Sequence, residues 1–295
     1  MANPAKRLPT NTPGNFYVDA TCINCDTCRQ LAPRSFVEID DLSSVRHQPR
    51  ETSEMLQAYQ ALLACPVGSI GVEETDKTVV REAMHSFPLR LDGSVYYCGF
   101  NSEKSFGGNS YFVEHPGGNW LIDSPRYMPH LIDAFERLGG IAFIFLTHED
   151  DVADAARYAK RFGAQRIIHR ADMDAQPGAE WVIDGTEPQH LVADFRVIPV
   201  PGHTEGSIAL LHANRYLFSG DHLWWDRELG GLDVPNVYVW NESALIASTE
   251  RLLHESFEWV LPGHGERVHL ASPQMREALE RTIRRRKSRG RVVTR

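Results

Sequence analysis

The chain has 295 residues, enough for two ordinary domains. Apolar residues make up 42% and charged residues 24%, the balance of a globular chain, and 31 basic against 39 acidic side chains leave a formal charge of −8. That acidity excludes nucleic acid as the main partner, and the absence of an unbroken apolar run of about 18 residues excludes a helical membrane span.

From the start, Met1 to Gly14 carries Pro, Asn, Lys and Arg and lacks the apolar stretch of a secretory signal, so a cytoplasmic location is expected. The five cysteines are Cys22, Cys25, Cys28, Cys65 and Cys98, an odd and clustered set that points to metal or redox chemistry and not to a disulfide framework. The first three are spaced by two residues each and the fourth stands in Cys65-Pro66. Such spacers let three thiolates converge on one face of an iron–sulfur cubane, and Cys-Pro is the usual form of the remote fourth ligand. A structural zinc site is the alternative, but it ordinarily pairs two Cys-x-x-Cys knuckles. Glu54–Ala64 reads as a helix, and Cys98, alone in an apolar run, reads as a buried core cysteine.

The flanks Phe16-Tyr17-Val18-Asp19, Pro33, Phe36 and the run from Ala61 to Ile70 resemble single-cluster bacterial ferredoxins. The resemblance covers about residues 15–75. It implies one 4Fe-4S cluster held by Cys22, Cys25, Cys28 and Cys65, with Cys25 favouring four irons over three. Residues 1–80 are therefore expected to form a ferredoxin-like domain with little strand pattern, and residues 81–295 a second domain with no long linker between them.

In the second region, alternating and apolar runs predict strands at Ser94–Phe100, Ser110–Glu114, Asn119–Ile122, Ile141–Leu146, Phe195–Val200, Ser207–Leu211, Arg215–Ser219 and Phe257–Leu261. Helical periodicity predicts Met128–Leu138, Val152–Phe162, Ala244–His254 and Pro273–Arg284. Strand pairs followed by strand–helix alternation indicate a layered α/β domain. The basic run from Arg284 to Arg291 reads as a solvated helix end, with a docking patch for an acidic partner as the alternative.

Four predicted strands end in ligand-type residues: Thr147-His148-Glu149-Asp150-Asp151, Pro201-Gly202-His203, Gly220-Asp221-His222 and Pro262-Gly263-His264. The C-terminal edge of strands is where ligands collect in α/β folds. Together with Asn109-Ser110-Tyr111, Leu121-Ile122-Asp123 and the run from Pro201 to Ser207, these segments resemble the metallo-β-lactamase fold superfamily over about residues 90–270. The resemblance implies an α/β architecture with a four-layer αβ/βα sandwich and a mono- or dinuclear metal centre at one edge. It also implies His148 as first ligand, His203 as third histidine, Asp221 as bridging carboxylate and His264 as last histidine.

The chain departs from the family's His-x-His-x-Asp-His pattern. Asp150 falls where the second histidine is expected, and with two extra residues Asp154-Ala155 falls on the Asp-His pair, Ala155 lacking the imidazole. Helix-capping offers another account, with Asp151 as the N-cap and Asp154 as its third residue. Fewer imidazoles and more carboxylates shift preference from zinc toward iron or manganese, with one or two ions and zinc still open. His222 is expected to support the ligands, and Trp224, Trp225, Tyr238 and Trp240 either line the substrate mouth or belong to the core.

The expected function is a hydrolase, a metal-bound water attacking an ester, thioester, amide or phosphoester, with Asp150 or Asp154 binding metal or accepting a proton. The rival is an iron-dependent oxidoreductase or oxygenase fed electrons by the cluster, and a non-enzymatic redox sensor is the third alternative. Expected partners are a small-molecule substrate and a redox protein, with no nucleic acid and no membrane.

Overall fold

The computed structural model describes residues 2–290, and the chain packs into two units, Met1–Ile141 and Ala142–Arg295. No helix among the described residues is long and apolar enough to cross a membrane.

The first unit opens with β1 (Phe16–Val18), α1 (Thr27–Leu31), β2 (Phe36–Ile39), β3 (Leu42–Val45), α2 (Thr52–Ala64), β4 (Ile70–Val72) and α3 (Lys77–Ser86). β1 and β4 pair antiparallel, and β2 and β3 form a hairpin around Asp40 and Asp41, both in the left-handed conformation that a two-residue turn demands. Glu51 and Glu54 make a reciprocal capping box at the start of α2, and the Asp76 carboxylate accepts from Thr78 N and Val79 N to start α3. These four strands are too short to leave an alternating pattern, which is why the region reads as strand-poor. An antiparallel meander follows: β5 (Leu89–Asp92), β6 (Val95–Tyr97), β7 (Tyr111–Val113) and β8 (Trp120–Ile122). Both of its faces are buried: Tyr97, Tyr111 and Trp120 lie on one, Phe112 and Leu121 on the other, and α4 (Pro129–Arg137) packs on the second through Phe135, whose ring stacks on Phe112 at 4.9 Å. Cys98 is fully buried beside this sheet, as its apolar run implies.

The second unit begins with β9 (Phe143–Phe145), α5 (Ala155–Phe162), β10 (Gln165–His169) and β11 (Trp181–Ile183), three parallel strands with the helix crossing over between the first two. α5 starts three residues later than its periodicity predicts, because Glu149–Asp151 forms a separate 3-10 turn, and it ends at Gly163 in the left-handed conformation. A second sheet follows, in the order β12 (Gln189–His190), β13 (Phe195–Pro199), β14 (Ile208–His212), β15 (Tyr216–Gly220), β18 (Trp259–Pro262) and β19 (Val268–His269). Between β15 and β18 lie the small hairpin β16 (Trp224–Asp226) and β17 (Gly231–Asp233) and the helix α6 (Glu242–Arg251); α7 (Ser272–Gly290) closes the unit.

Every residue of β14 and β15 is buried, which is why they read as continuous apolar runs. Ile198, Leu211, Leu217 and Val260 from the sheet pack with Leu245 of α6 and Met275 and Leu279 of α7 in one core. β13 and β15 both run antiparallel to β14, and β15 runs parallel to β18. The C-terminal ends of β13, β15 and β18 therefore lie on one edge, and each leads directly into a predicted ligand.

Three cations of the basic helix end are held in ion pairs. Arg285 pairs with Asp233 at 2.8 Å, Arg286 with Glu242 at 2.7 Å and Lys287 with Glu250 at 2.5 Å, so α7 is stitched to the hairpin and to α6. The end of that run, Arg291, lies outside the described residues.

Leu217 sits wholly buried on the strand that delivers Asp221. Leu217→Ala is expected to destabilise the fold by about 2–5 kcal/mol, read as a lower denaturant midpoint with an unchanged slope.

Candidate metal centre and iron–sulfur cradle

In the first unit Cys22, Cys25, Cys28 and Cys65 line one cavity, bringing together the four cysteines the spacing selects. Asn24 and Asp26 take left-handed backbone conformations in the turn between them, which Asn and Asp tolerate better than other side chains. Buried Arg29 holds this turn through Asp26 at 2.5 Å, Glu38 at 3.0 Å, Asn24 Oδ1 at 2.7 Å and Ser43 Oγ at 2.8 Å. Donors already face the sulfurs: Asn24 N lies 3.5 Å from Cys22 Sγ, and the Ser69 hydroxyl 3.4 Å from Cys65 Sγ. Burial pushes the Cys25 thiol up to about 11 and the Cys28 thiol up further still. Four thiols gathered in one cavity, those of Cys28 and Cys65 buried and those of Cys22 and Cys25 half-buried, fit an iron–sulfur cluster, since iron would replace their protons.

In the second unit His148, His203 and Asp221 offer ligand atoms close enough for one ion, and Asp151, Asp221 and His264 for another, so that Asp221 belongs to both groups. His148 Nε2 lies 3.6 Å and His203 Nε2 3.8 Å from Asp221 Oδ2. His264 Nδ1 is 2.9 Å from both oxygens of Asp221. The Thr147 hydroxyl sits 3.0 Å from His148 Nδ1, which leaves the other ring nitrogen toward the site.

Asp151 is the residue that sequence reasoning missed as a ligand. It is 1% exposed, and neither carboxylate oxygen has a hydrogen-bond partner among the described residues. A buried carboxylate in that condition calls for a cation. Burial, and then the negative charge of Asp221, push its pKa above the usual carboxylate range. Burial acts in the same direction on Asp221, but the charges of His264 and His148 hold it well below that range. The pair thus splits, as two carboxylates sharing one site must. Burial works against a charged His264, yet Asp221 pushes its pKa up to about 10, so the imidazolium proton stands where a metal cation would act on the same carboxylate. The donor set, two orphaned carboxylate oxygens among imidazoles, fits one or two metal ions. The signal available in the sequence is the run Glu149-Asp150-Asp151. It reads as a helix cap because the 3-10 turn that swings Asp151 inward leaves no periodic trace.

The other predicted residues fall as follows. Asp150 Oδ2 lies 3.3 Å from His203 Nε2 and 3.8 Å from His148 Nε2, at the first group's rim and 47% exposed. A hydrogen bond to His203 holds its carboxyl below the ordinary range. Asp154 is in neither group; it occupies the N-cap of α5, with Arg157 at 3.8 Å. Ala155 is buried as that helix's first residue. His222 also lies outside both groups. Burial pulls its pKa down to about 3, and its Nε2 meets the Thr249 hydroxyl at 3.2 Å. Tyr238 and Trp240 are 85% and 52% exposed and so do not belong to the core, while Trp240 N donates to the His203 carbonyl at 3.0 Å.

Asp172, on the turn after β10, was not singled out from sequence. It is buried, and its carboxylate accepts from Glu149 N at 3.1 Å, Thr204 Oγ1 at 2.7 Å and Gly206 N at 3.0 Å. It thereby ties the His148 loop to the His203 loop.

Comparison with known proteins agrees with this reading of the two parts. Residues 18–72 match the 4Fe-4S single cluster domain of Ferredoxin I, and residues 89–282 match the Metallo-beta-lactamase superfamily. The uncharacterized protein YobT of Bacillus subtilis (strain 168) is 27% identical over 211 residues, 59% of this chain and 89% of that protein. A hydroxyacylglutathione hydrolase of Xanthomonas oryzae pv. oryzae (strain MAFF 311018) is 34% identical over 110 residues, 36% of this chain. The chain spans only 43% of that hydrolase and 53% of its namesake in Stenotrophomonas maltophilia (strain R551-3), to which it is 32% identical. Among solved structures, TTHA1429, a metallo-beta-lactamase family protein from Thermus thermophilus, superposes with a TM-score of 0.51 at 18% identity, covering 68% of this chain and 81% of that one. That likeness shows the fold: a mixed α/β sandwich of the expected type.

Gly263 is needed where it stands, because a Cβ there would lie 2.5 Å from Asp151 Oδ2 and 2.7 Å from Asp221 Oδ1. Gly263→Ala is expected to lower non-cluster metal content while the iron and sulfide of the N-terminal segment stay, measured by metal analysis after dialysis. Asp151→Asn is expected to weaken metal binding at least about tenfold and to raise the melting temperature of the metal-stripped protein, because a buried charge is removed.

Proposed function

The chain belongs to the metallo-β-lactamase superfamily, and from its ligand set we propose that it is a metal-dependent hydrolase acting on a thioester or related acyl bond. The observation that carries this reading is the pair of ligand groups sharing Asp221, with Asp151 of the second group buried and without a hydrogen-bond partner among the described residues. A metal ion held by these residues would supply an activated water near neutral pH and Lewis-acid polarisation of a carbonyl. The names of the relatives at 32–34% identity support the thioester as the first substrate class.

The residues divide the work by their surroundings. His148, His203, Asp221, His264 and Asp151 fix the metal positions. Asp150, ionised and half exposed at the rim, is placed to accept a proton or to add a ligand as substrate enters. The partners in this reading are a small-molecule substrate and, for the cluster, a redox protein.

A second reading, an iron-dependent oxidoreductase, is favoured by the cysteine cradle in the same chain and by a carboxylate where the family has its second histidine.

The test is thiol release from a hydroxyacylglutathione thioester by anaerobically purified full-length protein, loaded in turn with zinc and iron. Turnover without any electron donor is expected, with Asp221→Asn at least about 100-fold slower and Cys65→Ala unimpaired. No hydrolysis of thioester, ester, amide or phosphoester with either metal would overturn the hydrolase reading. Turnover that needs a reductant and vanishes in Cys65→Ala would put the oxidoreductase in its place.

A further inference from the structure

The cysteine cradle is finished by residues that come from the other family's stretch of sequence. Asn101, wholly buried, donates from its backbone N to the Ala64 carbonyl at 3.2 Å and from Nδ2 to Thr27 Oγ1 at 3.0 Å and the Gly107 carbonyl at 2.7 Å. Its Oδ1 accepts from the Tyr97 hydroxyl at 2.8 Å. Gly107 lies so close to the cradle that a Cβ on it would stand 2.8 Å from Cys25 Cβ and 3.2 Å from Cys25 Sγ. Arg126, whose backbone N is fixed on the Phe100 carbonyl at 2.9 Å, reaches back with Nη2 to the carbonyls of Leu63 at 2.8 Å and of Cys65 itself at 3.3 Å.

We propose that Arg126 sets the reduction potential of the cluster held by Cys22, Cys25, Cys28 and Cys65, raising it by placing a fixed cation against the fourth ligand. Net charge, hydrogen bonding and burial are the levers that set such potentials. The cradle's other guanidinium, Arg29, braces the turn of the first three cysteines through Asp26 and Glu38. Arg126 donates to two carbonyls of the Cys65 turn, which brings its charge to bear on the sulfur and iron beyond them. Reduction adds one electron, from dithionite in the test, and one negative charge; no bond forms or breaks and no proton is transferred. A neighbouring cation favours the more negative state, and at the half-buried position of Arg126 its influence is less screened than in open water. Arg126 is a positioning and electrostatic residue here, not a ligand.

The experiment is a redox titration of the anaerobically purified full-length protein, followed by the visible absorbance and paramagnetic resonance of the cluster, for wild type, Arg126→Gln and Arg126→Lys. Iron and sulfide are counted in each. Arg126→Gln is expected to keep the cluster and to shift the oxidised-to-reduced ratio at a fixed potential about tenfold toward oxidised, a fall of about 59 mV for a one-electron couple. Arg126→Lys is expected to restore most of the shift. A wild-type potential in Arg126→Gln would overturn the proposal. If Arg126→Gln loses the cluster, Arg126→Lys decides: a retained cluster at wild-type potential supports the charge, and loss of the cluster there too assigns Arg126 a purely structural grip and overturns the proposal.

Discussion

Two carboxylates held in one dry place dominate the second unit. Asp151 and Asp221 are brought within reach of a common ion, and Gly263 is squeezed against both. Like charges so placed repel, and no hydrogen-bond donor among the described residues relieves Asp151. Only positive charge reconciles them. His264 supplies it for Asp221 through the proton on its ring, and the charges of His148 and His264 also act on Asp151, though burial outweighs them there. The rest of the centre reads as the means of holding this unfavourable arrangement still.

That means is mostly backbone topology. Parallel β15 and β18 deliver Asp221 and His264 side by side, and β13, two strands away in the same direction, delivers His203. β9 supplies His148 from the other sheet of the unit. The two sheets' contributions are joined by the buried carboxylate of Asp172, which takes hydrogen bonds from both ligand loops, and by the backbone bond from Ile208 N to the Thr147 carbonyl at 2.8 Å. A side chain that touches no metal thus fixes how far apart the first and third ligands stand.

The sequence was legible where chemistry and periodicity coincide. Three cysteines at tight spacing with a remote Cys-Pro, and strand ends closed by Gly-His or Gly-Asp, announce themselves, because few other arrangements use those residues in that order. Apolar runs such as those of β14 and β15 were equally plain, being buried on both faces. The hidden parts share a physical cause. Asp151 acts through a 3-10 turn, and such a turn has no repeat long enough to see. β10, at Gln165–His169, mixes polar and apolar residues without a clean period, and β11, at Trp181–Ile183, is too short to show one. Asp172 is recognisable only by what folds onto it from residues 149, 204 and 206.

The seam along Asn101, Gly107 and Arg126 bears on modularity. Sequence comparison divides the chain into two inherited pieces, yet the donors that satisfy the carbonyls of Leu63, Ala64 and Cys65 belong to the second piece. Severed at residue 80, the first piece would open those carbonyls to solvent and strip the cover from Cys25. The ferredoxin segment has become a graft that shares tissue with its host, and transplanting it into another protein would require carrying the meander from Tyr97 to Arg126 along with it.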